Sequence, residues 1–430
     1  MFAYLIAVLQ TLPKSIENGC NDTFRSFRER NFRIFTIGMF ISSIGGWMQG
    51  LALSWLVYRL TGSAAALGIV IFAGNLPLLF LLFIGGIAAD RYDKRKILLV
   101  CNTVAMLQAI LLSFLQFTNE GSLGLIVTLS IILGCTIAFE VPARQSLVPT
   151  LVKDQLHLAN AIGLSSASFH VSRMIGPALG GALIAAYGEQ ICFAINALSF
   201  VAALVSLCAL RLPKVDEESS RAKKDQSDKL TSKADARANF YAILRRPGVY
   251  TLLFLAAFVT TCGLQYTVLM PVIASDLLHG QSVAYGFLTT AAGLGALVGS
   301  LSIAYTGNKK GRRRRVGIAT VVLSLVLVPL AFSQSMAISI AAIIVAGICL
   351  SIHWNGGNSL MQQCVEPTSR GKLMGVYTTF TLGLAPVTAL LAGWAAEHYG
   401  VTMALVASAA GMLCGAILYL IQVQRLHDVC

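Results

Sequence analysis

The sequence predicts an all-α polytopic membrane protein with twelve transmembrane helices in two six-helix halves and both termini in the cytoplasm. Three observations predict this fold class. The composition is too apolar for a soluble protein, the long apolar runs fall into two sets of six, and the basic residues concentrate in alternate connections between those runs.

The composition alone excludes several classes of protein. Only 12% of the 430 residues are charged and 56% are hydrophobic, and the mean hydropathy is +0.74. A soluble protein has about 25% charged residues, and burial on folding saturates near ~75% of the unfolded surface. Soluble enzymes, disordered chains and disulfide scaffolds are therefore excluded. The ten cysteines include no C-x-x-C spacing, so they predict neither a metal site nor a disulfide framework.

Apolar runs long enough to span a bilayer define the predicted organisation, because a helix needs about 20 such residues to cross the hydrocarbon. The first six runs lie near 34–57, 64–88, 97–117, 124–143, 158–186 and 190–210. The second six lie near 249–273, 284–306, 316–334, 336–357, 373–395 and 401–422. The predicted domains are a basic leader (1–33), two six-helix halves (34–210 and 249–422), a charged cytoplasmic linker (211–248) and a tail (423–430). The linker holds ten basic and six acidic residues, and a short surface helix is predicted in it from Asp235 to Arg246.

The basic residues set the predicted orientation, because Lys and Arg concentrate on the cytoplasmic side of membrane proteins. With both termini inside, 30 of the 32 basic residues lie in the leader, the linker, the tail and the cytoplasmic connections. The two exceptions are Arg59, at the outer end of the first run, and Arg173, inside the fifth. A net charge of +13 could indicate a nucleic-acid partner, but this placement indicates anionic lipid instead.

An internal repeat supports the division into halves. A basic connection begins at Asp90 after the second run, and another begins at Asn308 after the eighth, 218 residues later. Tyr-Gly pairs close the fifth and eleventh runs at Gly188 and Gly400, which are 212 residues apart. Two parallel six-helix repeats around a central cavity form a transporter architecture.

The connection between the second and third helices carries a motif. It contains Gly86, Asp90, Arg91, Lys94, Arg95 and Lys96. This pattern resembles the G-x-x-x-D-R-x-G-R-K loop of the major facilitator superfamily, with Asp93 at the usual second glycine. The resemblance implies that the loop grips the cytoplasmic side of the other half, and we expect Asp90 to cap a helix end. It also implies a charge relay to Glu140 and Arg144, in which Glu140 is either part of a structural latch or a proton carrier.

The fifth helix carries Gly176, Pro177, Gly180 and Gly181. This string is similar to the G-P-x-x-G-G element of exporters in the superfamily, although small residues are also a general packing surface. Further strings resemble the branch that contains the enterobactin exporter and macrolide-efflux pumps, among them Ser43 to Trp47, Tyr58 to Ser63 and Pro142 to Gln145. Members of this branch often have an acid at the position of Gly46, so proton coupling is expected to use another group here.

Charged and polar groups inside membrane helices are functional candidates because they are expensive to bury in lipid. Arg173 could hold an anionic substrate group, with His170 three residues earlier as a titrating partner. Alternatively, Arg173 is a structural tie to helix-end carbonyls or to Glu140. The other substrate or coupling candidates are Gln49, Asn75, Asn196, Gln265, Tyr266, His353, Trp354 and Asn355. A buried His353 bonded to a neighbouring helix is the alternative for that residue, and the amides could equally join helices.

The resemblance and the polar groups together predict a proton-coupled secondary transporter of the bacterial inner membrane. We expect export of a small organic molecule, with a siderophore-type substrate favoured because Arg173 suits an acidic chelator. Multidrug or macrolide efflux, uptake of a ferric siderophore or nutrient, and a membrane sensor or scaffold are the alternatives. No phosphate-binding loop motif is present. No cofactor, metal or nucleic acid is expected, and the protein is expected to be a monomer that is not an enzyme.

Overall fold

A computed structural model describes residues 25–118, 120–152, 155–211, 247–306, 311–363 and 370–425. These ranges are helical and contain no strand. Most of the predicted leader, nearly all of the linker with its surface helix from Asp235 to Arg246, and residues 426–430 lie outside the described residues.

The N-terminal half consists of six long helices. They are α1 (Arg30–Thr61), α2 (Ala64–Arg91), α3 (Lys94–Phe117), α4 (Leu123–Leu147), α5 (Gln155–Tyr187) and α6 (Glu189–Cys208). Side-chain caps begin three of them: Ser63, Asp93 and Ser122 each accept a hydrogen bond from a backbone N–H of the first turn. The cap of α3 is therefore Asp93, and the expectation for Asp90 was wrong because Asp90 still lies in the last turn of α2.

The C-terminal half is less regular. Its helices are α7 (247–277, in several pieces), α8 (Ser282–Thr306), α9 (Arg312–Phe332), α10 (Met336–Gln363) and α11 (370–425). Helix α7 contains two π-helical turns, Val259–Gly263 and Ile273–Leu277, and α11 contains one, Thr379–Gly383. The range α11 consists of two helices that meet at Gly400, whose backbone is not helical and whose φ of 79° only glycine adopts readily. Gly400 separates a first arm (370–399) from a second arm (401–425).

The membrane-spanning potential of the described helices is high. Ten ranges are long and apolar enough to cross a bilayer. Helix α5 is not among them although it has 33 residues, because its central serines, His170 and Arg173 lower its hydropathy. One of the ten, Leu373–Gln422, contains both arms of α11. The protein is thus a multi-pass, all-helical membrane protein, and the number twelve and the cytoplasmic termini stay predictions.

The two halves meet along two pairs of helices, and glycines allow both approaches. A Cβ atom added to Gly68 in α2 would lie 2.5 Å from the Ala389 carbonyl oxygen and 3.3 Å from Gly393 in the first arm of α11. A Cβ atom on Gly181 in α5 would lie 2.9 Å from Gly286 in α8. Gly68 and Gly286 are 218 residues apart, and Gly181 and Gly393 are 212 apart. The two crossings therefore follow the offsets of the internal repeat.

Hydrogen bonds between the halves cluster at one end of the molecule. The Tyr58 hydroxyl lies 2.8 Å from both carboxylate oxygens of Asp276. Glu397 accepts from the Ser63 hydroxyl at 3.0 Å and from the Ala65 N–H at 3.2 Å. We call this region the closed end. In the predicted orientation it is periplasmic, and the structure is then inward-facing.

Candidate substrate site

Arg173 lies near the middle of α5, at a level where α5 contacts α8 of the other half. The contacts between α5 and α8 run from Ser282, which donates to the Gly181 carbonyl, to Gly293, where an added Cβ would lie 3.2 Å from the Arg173 carbonyl oxygen. The Arg173 side chain is half-buried. Its guanidinium carbon lies 5.4 Å from the centroid of the Trp47 ring in α1, which is a cation–π geometry.

No charge compensates Arg173 within the described ranges. The guanidinium has neither an ion pair nor a hydrogen bond there, so the structural tie to carbonyls or to Glu140 is not formed. A cation without a counter-ion in the middle of a membrane helix is costly and indicates a ligand or a water-filled cavity. The guanidinium is therefore available to bind an anion.

Aromatic and polar side chains surround this cation. Phe169 packs edge-on against Trp47 at 5.6 Å and against His170 at 5.7 Å. His170 and Tyr266 are both close enough to Arg173 to interact with it electrostatically. The His170 Nδ1 and the Tyr266 hydroxyl are buried without hydrogen-bond partners in the described structure. The structure thus brings three of the predicted residues, Arg173, His170 and Tyr266, into one place.

Gln49 and Asn196 do not belong to this place. Both are buried, with 2% and 1% exposure. The Asn196 amide donates to Gln49 at 2.6 Å, and the Gln49 amide donates to Gln108 in α3 at 2.9 Å. These amides satisfy one another inside the N-terminal half and connect α6, α1 and α3, which is the alternative that the sequence left open for them. Among the other amides, Asn75 and Gln265 are half-buried and donate to carbonyls one turn earlier in their own helices.

The C-terminal half contains a second polar region, a recess of about 190 Å³ between α10 and the first arm of α11. We call it the α10–α11 recess. Its lining residues are Trp354, Asn355, Asn358, Tyr377, Thr378 and Thr381. The Trp354 Nε1 and the Tyr377 hydroxyl are buried donors without partners among the described residues. His353 is not in the recess: it is 2% exposed, and its Nδ1 lies 3.1 Å from the Thr320 hydroxyl of α9, which is the alternative that the sequence left open.

The α2–α3 connection contacts its own half. Arg95 donates to the Cys208 carbonyl at 2.7 Å and to the Leu210 carbonyl at 3.4 Å, at the end of α6. Asp90 and Arg91 are exposed and form no ion pair within the described ranges. Glu140 and Arg144 form an i,i+4 pair at 3.7 Å. The relay that the resemblance implied is therefore not assembled in this conformation, in which the halves are closed at the opposite end.

The glycines of α5 allow two close contacts. A Cβ on Gly176 would lie 2.7 Å from the Ile44 carbonyl oxygen in α1, and one on Gly180 would lie 3.1 Å from Met48. Gly181 faces the other half, and the Pro177 carbonyl oxygen lies beside Gly286. The element therefore packs α5 against α1 on one side and against α8 on the other.

The sequence did not single out the residues of the closed end or Trp47 as site residues. A usable signal existed for one pair: Tyr58 and Asp276 are 218 residues apart, which is the offset of the repeat. Residues at equivalent positions of two symmetric halves can meet on the axis between them. Nothing in the local sequence around Glu397 indicates that Ser63 lies next to it.

These features define a class of protein. Two helical halves that close against each other at one end, with an uncompensated cation in a helix at their interface, form the architecture of a secondary transporter of the major facilitator type. Within the described ranges, no group of three or more His, Cys, Asp or Glu residues could hold a metal ion. The chain belongs to the transmembrane secretion effector family of that superfamily, whose model matches residues 21–428. Its members are transporters, not enzymes.

Several characterised proteins are similar over most of the chain. The staphyloferrin A transporter of Staphylococcus aureus is 25% identical over 374 residues, which cover 86% of this chain and 90% of that protein. The multidrug efflux pump Tap of Mycobacterium tuberculosis is 25% identical over 381 residues, covering 87% and 89%. Macrolide efflux protein A of Streptococcus pyogenes is 21% identical over 389 residues, covering 90% and 94%.

Solved transporter structures share the fold. A bacterial homolog of the human lysosomal transporter Spinster, in an inward-facing and occupied conformation, aligns with a TM-score of 0.71 at 13% identity, covering 93% of this chain and 97% of that chain. A POT family transporter in complex with a thioalcohol-conjugated peptide aligns with a TM-score of 0.72 at 13% identity and the same coverage. At these identities the likeness establishes the fold alone.

Proposed function

We propose that this transporter exports a small acidic organic molecule across the bacterial inner membrane, with a siderophore-type chelator as the favoured substrate. Transport is driven by the proton gradient, without a cofactor, and the working unit is a monomer. The observation that carries the proposal is Arg173, a half-buried guanidinium over Trp47 without a counter-ion in the described structure.

The charge of Arg173 selects the substrate class. A carboxylate or catecholate gains a charge-assisted hydrogen bond from the guanidinium, whereas a cationic drug would be repelled. The acids nearest to the membrane interior are already engaged, since Glu140 pairs with Arg144 and Glu189 pairs with Arg59. The similarity to the staphyloferrin A transporter supports a siderophore-type substrate.

The α10–α11 recess provides the second half of the proposed site. The Trp354 N–H and the Tyr377 O–H are donors that need acceptors, and the amides of Asn355 and Asn358 stand beside them. A chelator rich in oxygen atoms supplies such acceptors, whereas a macrolide or another large apolar drug supplies fewer. The substrate would contact Arg173 in one half and the recess in the other, and so would stabilise the closure of the halves around it.

Export and proton coupling are the finer parts of the proposal. The α5 glycine element and the description of the family as secretion effectors support export. One proton that crosses ~100 mV releases ~2.3 kcal/mol, which supports roughly 50-fold accumulation. His170, beside Arg173, is the proposed proton-carrying group, because an imidazole changes its charge near neutral pH and that charge alters the field at the guanidinium.

Multidrug or macrolide efflux is the second candidate function, and the similarity to Tap and to macrolide efflux protein A favours it. Uptake of a ferric chelator on the same fold is the third.

Deletion of the gene, followed by mass spectrometry of cells and medium under iron limitation, separates these functions. Retention of an acidic chelator in the cells, with less in the medium, is the expected result. Normal secretion combined with lost iron uptake would contradict export, and macrolide sensitivity with normal chelator secretion would favour drug efflux. Complementation with Arg173→Lys should restore secretion in part, whereas Arg173→Ala should not.

A further inference from the structure

An apolar groove lies between α3 and α4, outside the proposed substrate site. Its volume is about 440 Å³. Its lining includes Lys96, Val100, Cys101, Val104, Thr136 and Phe139. Val100 is 63% exposed, although it stands inside a membrane-spanning helix. We call this feature the α3–α4 groove.

The groove faces the lipid and not the other half of the protein. Helix α3 packs mainly against α4 and α6, which belong to its own half. Other large apolar side chains of α3, among them Leu107, Ile110 and Phe114, are also exposed, as expected for a surface that hydrocarbon solvates. From Lys96 to Val104 the groove follows α3 for about 12 Å, which is less than half of the hydrocarbon thickness. Its depth therefore matches one leaflet.

One end of the groove is positively charged. Lys96 is the charged residue of the lining; it is exposed and has no ion pair within the described ranges. The same connection contains Arg91, Lys94 and Arg95, and its acids are Asp90 and Asp93, so the basic residues outnumber the acids by four to two. Glu140 lies close enough to Cys101 to interact electrostatically, but its charge is compensated by Arg144. The end of the groove at Lys96 therefore carries excess positive charge.

We propose that the α3–α4 groove binds a phospholipid with an anionic headgroup, with one acyl chain between α3 and α4 and the phosphate beside Lys96. Charge complementarity selects this occupant: the walls are mostly apolar and suit an acyl chain, and the charged end favours a negative headgroup. Basic pockets between transmembrane helices on the cytoplasmic side bind anionic headgroups in this way. A lipid bound there would stabilise the start of α3, next to the α2–α3 connection. It does not depend on the transported substrate or on the direction of transport.

Native mass spectrometry of the full-length protein tests the headgroup. The protein is released from detergent after incubation with phosphatidylglycerol or phosphatidylethanolamine of identical chains. We expect phosphatidylglycerol to be retained about fivefold more strongly, as one lysine at the membrane surface allows, and Lys96→Gln to abolish this preference. The matched control is Arg314→Gln, which removes an exposed cation from the equivalent connection of the other half and should leave the preference intact. Equal retention of the two lipids by the unaltered protein would overturn the proposal.

A second variant tests the groove itself. Val100→Trp places a large ring in the groove and should lower the retention of both lipids, whereas Leu198→Trp, at a position of α6 that is 70% exposed, should not. Unchanged retention in Val100→Trp would show that the lipid binds elsewhere and would contradict the proposal. A dimer of the unaltered protein that Val100→Trp converts to a monomer would also contradict it, because the groove would then hold a second copy of the chain.

Discussion

Arg173 combines two properties at the scale of a single residue: a permanent charge and a position near the middle of a membrane helix. The Trp47 ring at 5.4 Å provides about 2 kcal/mol when such a contact is desolvated. A ring stabilises a cation but does not neutralise it, so the field of the guanidinium remains available to an anion. We therefore interpret Trp47 as the support that holds the guanidinium in place, and the substrate as its counter-ion.

Gly46 allows a direct test of the charge preference. It is exposed, and a Cβ added there would meet no atom within 4 Å, so a larger side chain fits without strain. We expect Gly46→Asp to lower transport of the acidic substrate about fivefold, because a carboxylate next to Trp47 would repel an anion bound at Arg173 by roughly 1 kcal/mol. Transport by membrane vesicles measures the effect. Gly46→Asn is the matched control and should transport normally; an equal loss in both variants would assign the effect to size.

The buried amides make a contrasting prediction. Gln49 accepts from Asn196 and donates to Gln108, so its removal leaves buried polar groups without partners, which costs about 1–3 kcal/mol each. We expect Gln49→Leu to lower the melting temperature of the purified protein while transport per folded molecule is retained. Gln116→Leu, in the outer part of α3, should change neither quantity. Loss of transport at an unchanged melting temperature would show instead that Gln49 contacts the substrate.

The sequence predicted part of the site for a physical reason. A charge inside an apolar run is visible in any sequence, so Arg173 and its neighbour His170 could be identified. The direction in which an amide points was not visible, because helices that are apolar on all sides do not reveal which face meets a partner helix. For this reason the sequence could not decide whether Gln49 and Asn196 bind a substrate or join helices. Tyr377 was missed because it looks like any aromatic residue of a membrane helix.

At the scale of the elements, most predicted apolar runs were shorter than the helices, whereas the run at 190–210 extends two residues beyond α6. The run predicted at 34–57 is the centre of Arg30–Thr61, and the run at 336–357 continues to Gln363. Hydropathy detects the part of a helix that lies in hydrocarbon, whereas the helix continues into the aqueous layer with polar residues.

The π-helical turns of α7 and α11 were not predictable, since they depend on contacts between distant residues: Thr388 donates to the Thr260 carbonyl at 3.0 Å, and Thr260 donates to the Thr381 carbonyl at 3.4 Å.

The closed end makes a prediction about the equilibrium between conformations. Tyr58→Phe removes the hydrogen bonds to Asp276 without a change in shape. A hydrogen bond to a charged group contributes about 1.5–3 kcal/mol, and exposure reduces this to about 1 kcal/mol. We expect the population that is open at this end to rise about fivefold.

Alkylation of a Ser282→Cys probe by an impermeant maleimide, in a background whose native cysteines are replaced by serine or alanine, measures that population. Ser282 is 2% exposed against Gly181, so the probe reacts only when α5 and α8 separate. Tyr187→Phe removes an exposed hydroxyl near the same end and serves as the control. Faster labelling in the Tyr58→Phe background is the expected result. Equal labelling rates in both backgrounds would mean that Tyr58 and Asp276 do not hold this end closed.

At the scale of the whole molecule, the residue offsets of the sequence repeat also relate the glycines at which the two halves meet. Both interfaces between the halves use a pair of glycines, Gly68 with Gly393 and Gly181 with Gly286. Close backbone contact through small residues lets helices pack without interlocking side chains. Such interfaces can separate at one end while they form at the other, which is the requirement of alternating access.

The central claim is that Arg173 binds an acidic substrate that the protein exports, and inside-out membrane vesicles test it most directly. In such vesicles export appears as uptake of the chelator when a proton gradient is imposed. We predict uptake by the unaltered protein, a reduced rate in Arg173→Lys, at least a tenfold loss in Arg173→Ala at equal expression, and collapse of uptake when a protonophore is added. Uptake by Arg173→Ala at the rate of the unaltered protein would contradict the account.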